Sequence, residues 1–145
     1  MRGGSAPLVV AAVPEELGDL PGELVGVGPI VAGARAAAIL ARAQPASVVL
    51  IGTAGAYPGG PPIGAAIAAA VVGWVDGVGA LGLGYVPRPP APIDADPALL
   101  AAVPLPRHRV ATTGAISTDA ALIRALAASP PGWDVEHLEA YAVAS

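Results

Sequence analysis

Short, almost purely apolar runs punctuated by Gly and Pro alternate with longer Ala-rich stretches that carry Arg at intervals. Val48-Val49-Leu50-Ile51 is the clearest run: four apolar positions, three of them β-branched, read as a strand buried on both faces. It stops at Gly52, and Thr53-Ala54-Gly55-Ala56 leads to the Pro58-Gly59 turn signal. Residues 8–13 form an earlier run of the same kind, closed by Pro14-Glu15-Glu16-Leu17. Between the two, Ile30, Ala34, Ala37, Ala38 and Ala41 fall at helical spacing, with Arg35 and Arg42 on another face. Pro29 suits the first turn of that helix, and Pro45 ends it.

The second half continues the alternation. Residues 63–75 read as a long strand of small residues with Asp76 just beyond it, and residues 77–92 as a Gly- and Pro-rich surface loop. Asp96-Pro97 opens a short helix within 94–103, and residues 109–114 suggest a strand ending in hydroxyls and glycine. Thr118-Asp119 opens an amphipathic helix over 120–128, stopped by Ser129-Pro130-Pro131-Gly132. Residues 135–139 lead into a helix beginning near Leu138 that has made barely two turns at Ser145. Such short helices are marginal alone, so a single clipped domain over residues 1–145 is expected.

Strands alternating with helices predict an α/β sheet, in which ligands bind beyond the carboxyl ends of central strands. Two features stand at such ends. Small residues at 52–55 leave room for a ligand against the backbone. Glu15 and Glu16 follow the first strand, a position that equally suits acids at the positive end of a helix dipole.

Composition narrows the chemistry. The 145 residues contain no Cys and no Lys, which removes thiolate nucleophiles, Cys-ligated zinc, Schiff bases and the P-loop lysine. Eleven acids against seven Arg give a net charge of −4 without a basic stripe, so nucleic acid is not an expected partner. Mean hydropathy is +0.67, yet the apolar stretch 63–75 is too short to cross a bilayer and ends at Asp76. The N-terminus carries Arg2, but its short apolar run is closed by Pro14-Glu15-Glu16, unlike a secretory signal. A cytoplasmic protein without a membrane partner is expected. Gly26-x-Gly28 matches half a dinucleotide fingerprint, but Val31 stands where the third glycine belongs and no acid follows about twenty positions on. A nicotinamide cofactor is therefore not expected.

The order of four elements carries a resemblance: acids after the first strand, Gly26-Val27-Gly28 before a helix, Gly52-Thr53-Ala54-Gly55 after a strand, and Glu136-His137-Leu138-Glu139-Ala140-Tyr141-Ala142. Together they resemble the nucleoside phosphorylase/nucleosidase superfamily, in particular 5′-methylthioadenosine/S-adenosylhomocysteine nucleosidase and futalosine hydrolase. The resemblance implies a three-layer α/β/α fold with a central mixed sheet, incomplete at the C-terminus, since it covers about two-thirds of the family's domain. It implies hydrolysis of the N-glycosidic bond of a purine nucleoside, with no cofactor and no metal. Phosphorolysis is disfavoured because nothing here matches the phosphorylases' Gly-Asp-Pro-like phosphate loop. Glu16 matches the acid that activates water, and Glu139 the glutamate that holds the ribose hydroxyls. Thr53, Ala54 and Gly55 would line base and ribose, Ile116 would flank the base, and Leu138 would pack under the sugar or be a plain core leucine. Neither His137 nor His108, expected in a polar loop, is given a catalytic role. The family's Ser-Asp element, whose Asp protonates the leaving purine, comes about one strand after the Glu139 helix, beyond Ser145. Loss of a general acid costs about 10²–10⁴-fold, so slow turnover is expected, or a relic that only binds nucleosides weakly. Family members commonly form oligomers, and the apolar, Gly-rich residues 77–85 are a candidate contact surface.

Overall fold

The computed structural model describes residues 6–145; Arg2 lies outside them. In chain order the first half comprises β1 (Leu8–Ala11), α1 (Pro14–Leu17), β2 (Glu23–Leu24), α2 (Pro29–Ala43), β3 (Val48–Leu50) and β4 (Gly55–Ala56). The second comprises β5 (Ala68–Trp74), α3 (Gly77–Ala80), β6 (Ile93–Asp94), α4 (Pro97–Ala102), β7 (Arg107–Thr112), α5 (Ala120–Ala128), β8 (Val135–His137) and α6 (Ala140–Ala144).

Two hydrogen-bonded ladders result. β2-β1-β3 is wholly parallel. The other runs β4-β8-β7-β5-β6 and is mixed: β8, β7 and β5 are parallel, and the short edge strands β4 and β6 are antiparallel. Helices cover both faces. Val10 and Val25 pack against Ala32, Ala36 and Ile39 of α2, with Val143 of α6 alongside. Successive residues of β7 then divide between faces, as a strand's two-residue period requires. Val110 joins Val72, Val135 and Ala140 of α6, whereas Ala111 joins Leu126 of α5, Tyr57 and Trp133. Leu50 packs into both clusters on the α2/α6 side and so links the ladders. The expected α/β/α layering and mixed sheet are present.

Several expectations need correction. Val48, Val49 and Leu50 are only half-buried, because β3 is an edge of its ladder rather than a central strand. The buried face of α2 is Ala32, Ala36 and Ile39, and Ile30 is 86% exposed. Alanine on nearly every side of this helix leaves little contrast for periodicity to read. The face is chosen instead by contact with β1 and by α6, whose Ala142 approaches Gly33. The strand expected over 63–75 begins only at Ala68, since Pro61-Pro62 lacks ladder donors and a turn from Ala65 N–H to the Pro62 carbonyl precedes it. The expected 77–92 loop contains α3, whose N-cap is Asp76: its Oδ1 accepts the Gly79 N–H at 2.7 Å. His108 lies on β7, not in a loop, and its Nδ1 stands 3.2 Å from Asp134 Oδ2. Among the described residues no helix is long and apolar enough to cross a membrane. Val78, Leu83 and Tyr85, in the expected contact surface, are exposed.

Helix α5 follows the sequence reading closely. Asp119 Oδ1 accepts from the N–H groups of Ala121 and Leu122, both at 2.9 Å. Asp119→Ala leaves these first-turn donors to water and is expected to cost about 1 kcal/mol. Urea denaturation reads this directly, and an unchanged midpoint would show that the cap contributes nothing.

Candidate functional site

The site is built where β1, β3, β7 and β8 end. β1 hands the chain to α1, and Glu16 turns back over the strand end. Its Oε2 accepts the Ala12 N–H at 3.1 Å, and its Oε1 accepts the Thr53 N–H at 3.0 Å and the Thr53 hydroxyl at 3.2 Å. The carboxylate is thus clamped between two parallel strands as an acceptor. Thr53, Ala54 and Gly55 are themselves exposed, so this wall of small side chains is open to a ligand.

The opposite wall comes from β8 and the start of α6. Glu139 is 4% exposed and occupies the N-cap position of α6 without capping it. Its side chain reaches across the fold, and Oε1 accepts the Gly28 N–H at 2.7 Å. Gly28 has φ +87°, a conformation costly for any residue with a Cβ. The Gly26-x-Gly28 turn therefore aims an amide at a carboxylate rather than at a pyrophosphate.

Between these walls lies a cleft of about 270 Å³. Glu16, Thr53, Ala54, Gly55, Ile116, Leu138 and Glu139, the residues to which the resemblance gives roles, all line it, whereas Glu15 does not. A more open groove of about 510 Å³ lies at the amino ends of β1 and β3. Its polar side chains are Glu23, paired with Arg42, and Gln44. In parallel sheets ligands bind beyond the carboxyl ends, and the carboxylates converge there, so the smaller cleft is the candidate site. Among the described residues no group of three or more His, Asp or Glu side chains is arranged to hold a metal.

Two further residues of the cleft were not assigned from sequence. Glu136 is 8% exposed and accepts the Tyr57 hydroxyl at 3.1 Å and the Ser117 N–H at 2.9 Å. Burial, and then the Glu136 charge, push the Tyr57 phenol well above its ordinary range, so Tyr57 is the donor. Glu136 is the middle residue of β8, so its place in the cleft follows from that strand's pairing with β4 and β7 rather than from any local sequence signal. The other residue is His137. Burial pushes its imidazole below the ordinary value, against the opposing pull of the Glu139 and Glu16 charges. The N–H groups of Glu139 and Ala140 both point at Nδ1, at 3.1 and 3.2 Å. Nδ1 therefore carries no proton, and the 3.1 Å approach of Glu139 Oε2 to it is not an ion pair.

Comparison with known proteins supports the fold and stops there. No protein-family model and no curated protein sequence matches this chain. Solved structures do. The 5′-methylthioadenosine/S-adenosylhomocysteine nucleosidase of Streptococcus pneumoniae, in complex with 8-aminoadenine, superposes with TM-score 0.77 at 20% identity, over 97% of this chain and 78% of that one. The nucleosidase of Neisseria meningitidis, in complex with methylthio-immucillin-A, gives 0.73 at 20% identity, over 94% and 77%. That of Helicobacter pylori gives 0.72 at 15% identity, over 99% and 78%. With two walls of carboxylates at the strand ends and this superposition, the chain has the fold of the methylthioadenosine/S-adenosylhomocysteine nucleosidases.

Proposed function

We propose that the cleft binds a purine nucleoside and hydrolyses its N-ribosyl bond. The observation that carries this reading is that Glu16 and Glu139 line one cleft from opposite walls, with Thr53-Ala54-Gly55 beside Glu16. Glu139 keeps unused acceptor capacity on both oxygens, and a ribose 2′,3′-diol supplies two donors to it through charge-assisted bonds. The base lies along Ala54 and Gly55 toward Ile116. Glu16 takes a proton from a water whose oxygen bonds to C1′ as the C1′–N9 bond breaks. The bonding electrons leave with the base, which takes up a proton from solvent. Glu16 returns its own to solvent, so the net reaction adds one water across the glycosidic bond. Among substrates, futalosine and methylthioadenosine are the two the sequence resemblance favours. The competing reading, nucleoside binding without turnover, differs only in the outcome for Glu16.

Calorimetry tests the sugar contact. A nucleoside is expected to bind at least about tenfold more tightly than its 2′,3′-dideoxy analogue, the equivalent of one charge-assisted hydrogen bond. In Glu139→Gln that gap should narrow sharply. Equal affinities for both ligands in both proteins would remove Glu139 from the sugar site.

A further inference from the structure

His137 sits between the two carboxylates to which the nucleosidase reading gives roles, with its side chain only 9% exposed. We propose that His137 is a positioning residue that serves both of them, one through each ring nitrogen: Nδ1 fixes the backbone from which Glu139 projects, and Nε2–H orients the attacking water against Glu16. The second half rests on the hydrolytic reading; the first needs only a nucleoside in the cleft.

The hydrogen-bond directions fix the tautomer. Two backbone N–H groups, from Glu139 and Ala140, converge on Nδ1. These are first-turn donors of α6 that the Glu139 side chain leaves uncapped. A side chain two residues upstream thus caps the helix, which frees the Glu139 carboxylate for Gly28 and for the cleft. With Nδ1 as acceptor, the neutral ring must carry its proton on Nε2. Nε2 has no hydrogen-bond partner among the described residues.

Nε2 and the Glu16 carboxylate come together beside Gly52. A Cβ at that position would stand 2.8 Å from His137 Nε2 and 3.1 Å from Glu16 Oε1. Imidazole and carboxylate therefore converge on the same face of residue 52, and only a glycine leaves that face open. A water between these two side chains would accept from Nε2–H and donate to Glu16, whose Oε2 accepts one protein hydrogen bond while Oε1 already accepts two from Thr53. That arrangement matches a nucleophile whose proton goes to Glu16. The remaining titratable side chain of the cleft, Glu136, is turned to Tyr57 and Ser117.

Asn and Gln separate the two nitrogens, because the Asn side-chain oxygen reaches the place of Nδ1 and the Gln nitrogen the place of Nε2. His137→Asn keeps the cap and loses the outer donor. Its kcat for base release is expected to fall about 10- to 100-fold, more than its nucleoside affinity does. His137→Gln keeps a donor and loses the cap, and it is expected to lose affinity about tenfold, together with the preference for nucleoside over dideoxynucleoside, more than it loses kcat. A merely structural histidine would lower the urea midpoint in both variants and shift kcat and affinity alike, and that result overturns the proposal. Wild-type protein that binds nucleoside but releases no base overturns the Nε2 half together with the hydrolytic reading, while the Gln affinity arm still decides the Nδ1 half. Unchanged diol preference in His137→Gln overturns that half alone.

Discussion

Glu16→Gln is expected to lower the rate of base release from a purine nucleoside by about 10²–10⁴-fold, the contribution of a positioned general base. Nucleoside affinity should stay within about fivefold, because the sugar is held from the opposite wall by Glu139. The substitution is close to isosteric, but a carboxamide has one acceptor oxygen where the carboxylate has two. Glu16 now receives three hydrogen bonds, from Ala12 N–H, Thr53 N–H and the Thr53 hydroxyl. The amide cannot accept all three, so a stability loss of about 1–2 kcal/mol accompanies the rate effect. Release of hypoxanthine or adenine from futalosine, methylthioadenosine and inosine measures the rate. Turnover as fast in the variant as in the wild type would remove Glu16 from the chemistry and leave the binding-only reading.

The largest effect on stability is expected at Gly73, on the far side of the sheet from α6. A Cβ there would lie 2.1 Å from Trp133 Cη2 and 2.6 Å from Cζ2, deep inside van der Waals contact. The backbone cannot retreat, since β5 is paired with β7 through Gly73 and Ala111. The indole cannot easily retreat either, because Trp133 is buried in a cluster with Tyr57, Val75, Ala111 and Leu126. Gly73→Ala should therefore cost about 3 kcal/mol, the upper part of the range for overpacked cores. Adding Trp133→Phe, which removes one ring of the indole, should return part of that loss, and a double-mutant cycle in urea isolates the coupling. A single Gly73→Ala variant as stable as the parent would mean that the strand and indole do not meet as described.

How legible each part was follows from how each part is determined. Local devices were readable: Asp119 as a cap and Pro29 and Pro45 at the ends of α2 depend on neighbours in sequence alone. The strand cores of β1 and β3 were readable for the same reason. Burial was not, since Val48 and Val49 look like central-strand residues and become edge residues only through the order in which strands pair. The buried side of α2 was hidden by its own alanines. In the cleft, residues at strand ends with distinctive types, Glu16 and Thr53-Ala54-Gly55, announced themselves. Glu136 and His137 did not, because their positions depend on β8 pairing with both β4 and β7. A histidine's use of each nitrogen is a property of the folded backbone that no spacing encodes.

The bond from Gly28 N–H to Glu139 Oε1 joins residues 111 positions apart, and that separation makes the cleft a gauge of assembly. A contact so distant in sequence carries the entropic cost of closing the loop between its partners. A chain in which α2 and α6 have not yet docked has neither the amide nor the carboxylate in place, and so has no sugar site to offer. Nucleoside added during refolding would bind fully assembled molecules alone and draw the population toward them, by RT ln(1 + [L]/Kd). Occupancy of the cleft would then count finished molecules, and a nucleoside analogue would act as a pharmacological chaperone for destabilised variants far from the site, Gly73→Ala among them.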